Sequence, residues 1–185
     1  MKKGKFIVIS GPSGVGKGTI CNQLLKELNA WYSVSMTTRS MREGEVEGVN
    51  YYFVTKEEFK KRIEDGKLLE YNIYNDNYYG TPKDKVLEKL EEGINVFSEI
   101  DVNGAKNVKK IFPDALLIYI APPSIEELKE RLISRGTEDL ETIENRLKIA
   151  ADELKQAHFY DYVVVNDNLQ DAILKIKNII NEEII

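Results

Sequence analysis

The chain of 185 residues contains a single cysteine, Cys21, and a single histidine, His158. One thiol excludes an internal disulfide, and a reducing compartment fits, with the cytoplasm as the default expectation. Cys21 falls at a helical position close to a glycine-rich loop and reads as a small buried hydrophobe. Nothing pairs with His158 as a base or a metal ligand, so it reads as structural. Long apolar runs are missing. No stretch approaches the roughly 18 residues of a membrane span, and no membrane partner is expected. The start, "MKKGKFIVIS", turns from basic to apolar as a leader would. Its apolar run is short, however, and a phosphate-loop pattern follows, so a first strand is expected there. A basic excess is missing too: 26 Lys and Arg stand against 31 Asp and Glu, a net charge of -5. That argues against a nucleic-acid partner. It says nothing against small anionic substrates, which a local cluster of Arg and Lys can bind. Internal repeats, low-complexity segments and linkers are absent from the sequence, and the length fits one domain.

What is present is an alternation of short strands and helices. "KFIVIS" reads as a strand, and residues 17 to 29 as a helix with Ile20, Leu24, Leu25 and Leu28 at helical spacing. "VNYYFV" and "LLEYNIY" are strand-like, and Thr55 with Glu58 forms a capping box at a helix start between them. "NDN" is turn chemistry, Thr81 followed by Pro82 marks a further helix start, and Gly93 ends that helix. "INVFSEI", "ALLIYIA" and "YVVVN" read as buried strands. Ser124 with Glu127 caps a helix running to about Arg135 and Gly136, a long helix covers about 139 to 157, and an amphipathic helix covers 169 to 183. Near-continuous apolar strands alternating with helices predict a parallel sheet covered on both faces. The tyrosine-rich segment from about 35 to 93 departs from this order and reads as an inserted subdomain.

The stretch "GPSGVGKGT" at positions 11 to 19 follows the first strand and opens the first helix. That is the context a phosphate-binding loop requires. Gly11, Pro12, Ser13, Gly14, Val15, Gly16 and Gly18 allow backbone N–H groups to converge on phosphate oxygens. Lys17 adds a point charge for the outer phosphates, and the helix N-terminus adds its partial positive charge. The alternative is a glycine-rich turn without a ligand. The usual pattern places Ser or Thr directly after the lysine; here Gly18 stands there and Thr19 comes next, so Thr19 is a candidate for holding Mg²⁺, including through water. The loop predicts a bound nucleoside triphosphate but does not choose its chemistry.

Elsewhere the residues alone are less decisive. Arg39 and Arg42, three apart with Tyr51 shortly after, suit phosphate geometry; they also suit a solvated charged turn. Glu70 alone reads as a surface acid on a strand. Arg131 and Arg135, four apart on one helix face, equally read as exposed arginines on an acidic helix.

Six stretches change this balance. "GPSGVGKGT", "VSMTTRSMREGEVEG", "YGTPKDKV", "EIDVNGA", "APPSIEELKERLISRG" and "YVVVND" together resemble guanylate kinase, over about residues 4 to 182. The resemblance implies an α/β fold of the P-loop nucleoside monophosphate kinase type. Such a fold has a parallel five-stranded core sheet with helices on both faces, an inserted mixed α+β GMP-binding subdomain, and a helical lid. The single domain at 4–182 would divide into a core of 1–34, 94–122 and 158–185, a GMP subdomain of 35–93 and a lid of 123–157. The implied reaction is ATP + GMP to ADP + GDP, with Mg²⁺, within purine nucleotide metabolism.

By the same resemblance, Glu70 takes the N1–H and N2 amine of guanine, since a carboxylate accepts two bonds side by side. Asp101 is a second acceptor near the base, and Ser35 and Thr81 supply hydroxyls at the O6 and nitrogen edge. Arg39, Arg42, Tyr51 and Tyr79 match the set that grips the GMP phosphate. Glu99 lies close to the metal and the phosphates; Ser98 before it replaces a more usual aliphatic residue and alters the packing. Arg131, Arg135 and Arg146 become lid arginines over the ATP phosphates, and Asn166 and Asp167 match the adenine edge. The attacking GMP oxygen is already anionic, so catalysis rests on position and charge, with Lys17, Arg135 and Arg146 at its centre and the lid and subdomain closing to exclude water. Two other readings compete. One is a guanylate-kinase-like module that binds phosphorylated peptides, against which the intact loop and Lys17 argue. The other is a kinase for another small molecule, against which the guanine-suited Glu70, Ser35, Thr81 and Asp101 argue. The sequence leaves the oligomeric state open.

Overall fold

The computed structural model describes residues 3–74, 76–136 and 139–184. Asn75 of the expected turn, and Thr137 and Glu138 of the expected lid segment, lie outside the described residues.

The elements in chain order are β1 (Phe6–Ser10), α1 (Lys17–Glu27), β2 (Ala30–Tyr32), β3 (Met36–Thr37), β4 (Tyr52–Phe53), α2 (Lys56–Glu64), β5 (Leu68–Tyr74) and β6 (Asn77–Pro82). They continue with α3 (Lys83–Glu91), β7 (Asn95–Glu99), α4 (Val102–Ile111), β8 (Leu116–Ala121), α5 (Ile125–Arg135), α6 (Leu140–Lys155), a 3₁₀ turn (Ala157–Phe159), β9 (Tyr162–Val165) and α7 (Leu169–Ile184). A five-stranded sheet takes the order β2-β7-β1-β8-β9. Its β2–β7 and β8–β9 pairs are parallel. Every residue of β1 and of β8 is buried. This is why these segments read as unbroken apolar runs rather than alternating ones: strands covered on both faces have no solvent side. A second sheet of four strands runs β4-β3-β6-β5. The α/β architecture with one parallel and one mixed sheet agrees with the fold class expected from the sequence.

The chain divides into two compact units. One contains the residues up to Ile7, Asn29–Ser98 and Asn103–Ala115. The other contains Val8–Leu28, Glu99–Val102 and the chain from Leu116 onward. In the first unit the mixed sheet is built on a hairpin: β5 and β6 are antiparallel, and Glu70 faces Thr81 across them. Gly80 lies where Tyr71 crosses; a Cβ there would meet the Glu70 carbonyl oxygen and the Phe59 ring at 2.9 Å each. Only glycine lets the two strands and α2 approach this closely.

Local signals place most of the helix starts. Thr55 accepts from the Glu58 N–H at 3.1 Å and its own N–H reaches the Glu58 carboxylate at 2.9 Å, the expected reciprocal cap of α2. Ser124 accepts from the Glu127 N–H at 3.1 Å at the start of α5. The expected helix start at Thr81–Pro82 is corrected. Thr81 is still in β6, and α3 begins at Lys83 with Pro82 at its cap and no side-chain capping bond. The strand expected over "VNYYFV" shrinks to Tyr52–Phe53. β2, β3, β6 and α4 were not expected as separate elements. The first two are three and two residues long, too short to carry a period. Among the described residues no helix is long and apolar enough to cross a membrane.

Candidate active site

In the second unit β1 ends at Ser10 and the loop turns into α1 through three glycines with positive φ: Gly11 at 148°, Gly14 at 88° and Gly16 at 99°. These angles are open to glycine and strained for other residues. Neighbours also close in. A Cβ at Gly11 would meet the Ile120 carbonyl oxygen at 2.3 Å, and one at Gly16 would meet the Asn166 amide nitrogen at 2.7 Å. Pro12 and Val15 are buried and hold the loop to the core. The loop's shape is thus set by β8 and by the end of β9, not by the loop alone.

Lys17 is half-buried at the first position of α1 and folds back over the loop. Its Nζ donates to the carbonyl oxygens of Gly11 at 2.6 Å and Pro12 at 3.0 Å. Burial lowers its pKa from the usual lysine value, and the charges of Glu99 and Glu153 partly oppose that shift. Glu99 is half-buried at the end of β7 and Asp101 is exposed. Cys21 is buried, as expected; burial first, and the Glu99 carboxylate second, push its thiol well above the usual range. Thr19 is exposed, and so is Gly18, where a Cβ would have only Glu99 Oε1 near it, at 3.9 Å.

The arginines on α5 and α6 differ in their surroundings. Arg146 donates to Ser13 Oγ, so the structure brings α6 to the loop. Arg131 donates to Glu127 at 2.5 Å and to the Asn166 carbonyl at 2.9 Å. Arg135, in the last turn of α5, is exposed. Asn166 is 5% exposed, and its amide donates to the Val15 carbonyl at 2.7 Å, while Asp167 beside it is exposed. Asn166 therefore buttresses the loop from behind, a contact that no sequence pattern announced. Its Oδ1 is buried without a hydrogen-bond partner among the described residues.

In the first unit the guanine-suited residues gather on the mixed sheet. Thr81 is fully buried and Glu70 is 8% exposed. Thr81 Oγ1 donates to Glu70 Oε1 at 2.6 Å, because cross-strand neighbours share a face. Ser35 is half-buried just before β3, and its carbonyl accepts from Tyr52 at 2.9 Å. Arg39 lies over the ring of Tyr51 at 5.4 Å, and Tyr51 meets Tyr79 edge-on at 6.0 Å. Three of the four expected phosphate ligands therefore adjoin. Arg42, the fourth, is exposed on the same loop. Sequence reasoning missed Glu45, whose carboxylate forks onto Arg39 at 2.8 and 2.9 Å and accepts from the Arg42 N–H at 2.8 Å. It is one of three glutamates in "REGEVEG", and nothing in their spacing separates it from the other two.

The family model for guanylate kinase matches residues 3–183. The chain belongs to the guanylate kinase family. It is 54% identical over 183 residues to the guanylate kinase of Oceanobacillus iheyensis, covering 98% of this chain and 89% of that one. It is 52% identical over 183 residues to that of Clostridium tetani, covering 99% of this chain and 88% of the relative. Among solved structures, the guanylate kinase of Anaplasma phagocytophilum superposes with a TM-score of 0.83 at 36% identity, covering 98% of this chain and 87% of that one.

Proposed function

We propose that the chain transfers the γ-phosphoryl group of ATP to GMP, giving ADP and GDP. Membership of the guanylate kinase family supports the activity. The observation that carries the choice of substrate is the buried Glu70 carboxylate, oriented by the Thr81 hydroxyl at 2.6 Å. Guanine presents two donors side by side, N1–H and the 2-amine, and a carboxylate is acceptor-only. Thr81 donates to one Glu70 oxygen and holds the group's rotation, so both oxygens can meet the base edge. Ser35 and Asp101 complete the base contacts, and Arg39, Arg42, Tyr51 and Tyr79 hold the acceptor phosphate.

On the donor side, the loop N–H groups and Lys17 hold the ATP phosphates. At rest Lys17 spends its donors on the Gly11 and Pro12 carbonyls. A phosphate is a charged and therefore stronger acceptor, and it returns the lysine toward its usual pKa. Arg146, beside Ser13, and Arg135 stabilise the transferred group. Arg131 joins them over the ATP phosphates, and Asn166 and Asp167 line the adenine end. The GMP phosphate is anionic near neutral pH, so its attacking oxygen needs no strong base. Mg²⁺ would be held through the exposed Thr19 hydroxyl, by way of water, with the half-buried Glu99 carboxylate close by; both are the oxygen donors this ion takes. Bound with ATP, the ion supplies neutralisation of charge on the β- and γ-phosphates.

The test is a coupled assay of ADP release with GMP, AMP, UMP and dTMP, beside a thermal-shift panel of the same nucleotides. Turnover and stabilisation with GMP alone are expected. Equal turnover with AMP or UMP overturns the reading.

A further inference from the structure

The Glu45–Arg39 pair carries an inference that rests on, and deepens, the reading of Arg39 as a ligand of the acceptor phosphate. A guanidinium has five N–H donors arranged in forks. Arg39 Nη1 donates to Glu45 Oε2 at 2.9 Å and to the Ser40 carbonyl at 2.7 Å. Nη2 donates to Glu45 Oε1 at 2.8 Å. The end-on fork is therefore committed to Glu45. Neither Glu45 nor Ser40 takes the side-on fork, Nε–H and the second Nη2–H, which point the same way and match two oxygens of one phosphate. Tyr79, the other expected phosphate ligand beside Arg39, adds to the interactions that raise its pKa, after Glu45. The rings of Tyr51 and Phe53, 5.4 and 5.7 Å from the guanidinium carbon, restrict its plane.

Glu45 does a second thing with the same oxygen. Oε2 also accepts from the Arg42 N–H at 2.8 Å, and the Glu45 N–H returns a bond to the Arg42 carbonyl at 3.1 Å. One carboxylate thus ties the orientation of Arg39 to the turn that carries Arg42. The Glu45 and Arg39 side chains are only 18% and 14% exposed, so water competes weakly for the pair.

We propose that Glu45 is a positioning residue for the acceptor phosphate: by occupying the end-on fork of Arg39 and closing the 42–45 turn, it presents the side-on fork of Arg39 to the phosphate. The rival role is a stand-in acid that competes with phosphate for the arginine, and the two roles predict opposite signs.

The experiment compares Glu45→Gln, Arg39→Ala and the double variant by KM for GMP and for ATP, by kcat, and by calorimetric titration of GMP. Gln keeps the length and one acceptor for the Arg42 N–H but loses the charge. In Glu45→Gln the KM for GMP should rise about tenfold, as expected for a lost charge-assisted bond. The KM for ATP, and kcat at saturating GMP, should stay within about twofold. In the Arg39→Ala background the same change should add less than about twofold, because Glu45 acts through Arg39. Unchanged or tighter GMP binding in Glu45→Gln overturns the proposal, as does full additivity in the double variant. If Glu45→Gln does not fold, Arg39→Lys decides. It keeps the charge without a fork, so GMP affinity should fall nearly as far as in Arg39→Ala; wild-type affinity overturns the proposal. If Arg39→Ala itself leaves GMP binding unchanged, the underlying reading of the acceptor site fails instead.

Discussion

The phosphate loop and the mixed sheet hold their polar side chains by opposite means. Residues 11 to 19 form a contiguous stretch whose backbone makes the site, and its charged side chains rest on the loop's own atoms: Lys17 on two carbonyls and Arg146 on Ser13. Around the mixed sheet, residues from 35 to 81 come together and side chain rests on side chain: Arg39 on Glu45, and the Thr81 hydroxyl on Glu70. A backbone site needs little side-chain order before the ligand arrives, because glycine φ angles and buried neighbours fix it. A side-chain site must hold long, mobile groups in advance, and it does so with counter-charges and strand register. The first should therefore fail through charge removal and the second through loss of geometry.

The largest effect separates the two sites directly. Lys17→Ala should lower kcat by about two to three orders of magnitude, the scale of losing one charge-stabilising donor. GMP affinity, measured by titration, should survive. Loss of GMP binding in this variant would break the division between the sites.

Next comes Glu70→Gln. Its oxygen can still accept from Thr81, but its amide then faces a guanine donor. An unpaired buried polar group costs about 1–3 kcal/mol, or roughly 5- to 150-fold in kcat/KM for GMP. AMP, which has an acceptor at N1 and no 2-amine, should lose less, so the GMP-over-AMP preference should shrink. An unchanged ratio would remove Glu70 from base recognition.

A smaller effect is expected for Arg42→Ala, which should raise the KM for GMP about tenfold while the KM for ATP stays within about twofold. Equal shifts for both substrates in steady-state kinetics would contradict its assignment to the acceptor side.

The smallest effect concerns stability. The Arg39 guanidinium, with the Arg42 N–H, holds the Glu45 carboxyl at about 2, against an ordinary 4.5. A depressed carboxyl stabilises the fold fully above its unfolded value, and that contribution fades as pH falls from about 4.5 toward 2. As a partly exposed pair it is worth about 1 kcal/mol or less. The thermal midpoints of wild type and Glu45→Gln should therefore differ slightly at pH 7 and converge as the pH drops below about 4. A gap that widens in acid would refute the sign.

Contiguity also explains what could be read in advance. The loop, β1, β8 and the capped helices α2 and α5 were legible because each signal lies within one short stretch: glycine spacing, an apolar run, or a Ser or Thr three residues before a Glu. The residues proposed for guanine and the acceptor phosphate stand out only through six separated motifs taken together, since no one arginine or tyrosine differs from a surface residue by itself. β3 escaped because a two-residue strand has no period, and β6 because "NYYGTP" shares its end with a helix-start signal at Thr81–Pro82.

The sequence by itself determined the α/β order, the phosphate loop and the family, because these depend on local backbone preference and on motifs fixed in chain order. Only the tertiary structure decided which glutamate of "REGEVEG" grips Arg39, that Asn166 braces the loop at Val15, and that Thr81 belongs to a strand and orients Glu70. Those partners lie 6, 151 and 11 residues apart. The physical reason is that a hydrogen bond selects on angstroms of separation and on angle, which folding sets and residue spacing does not record.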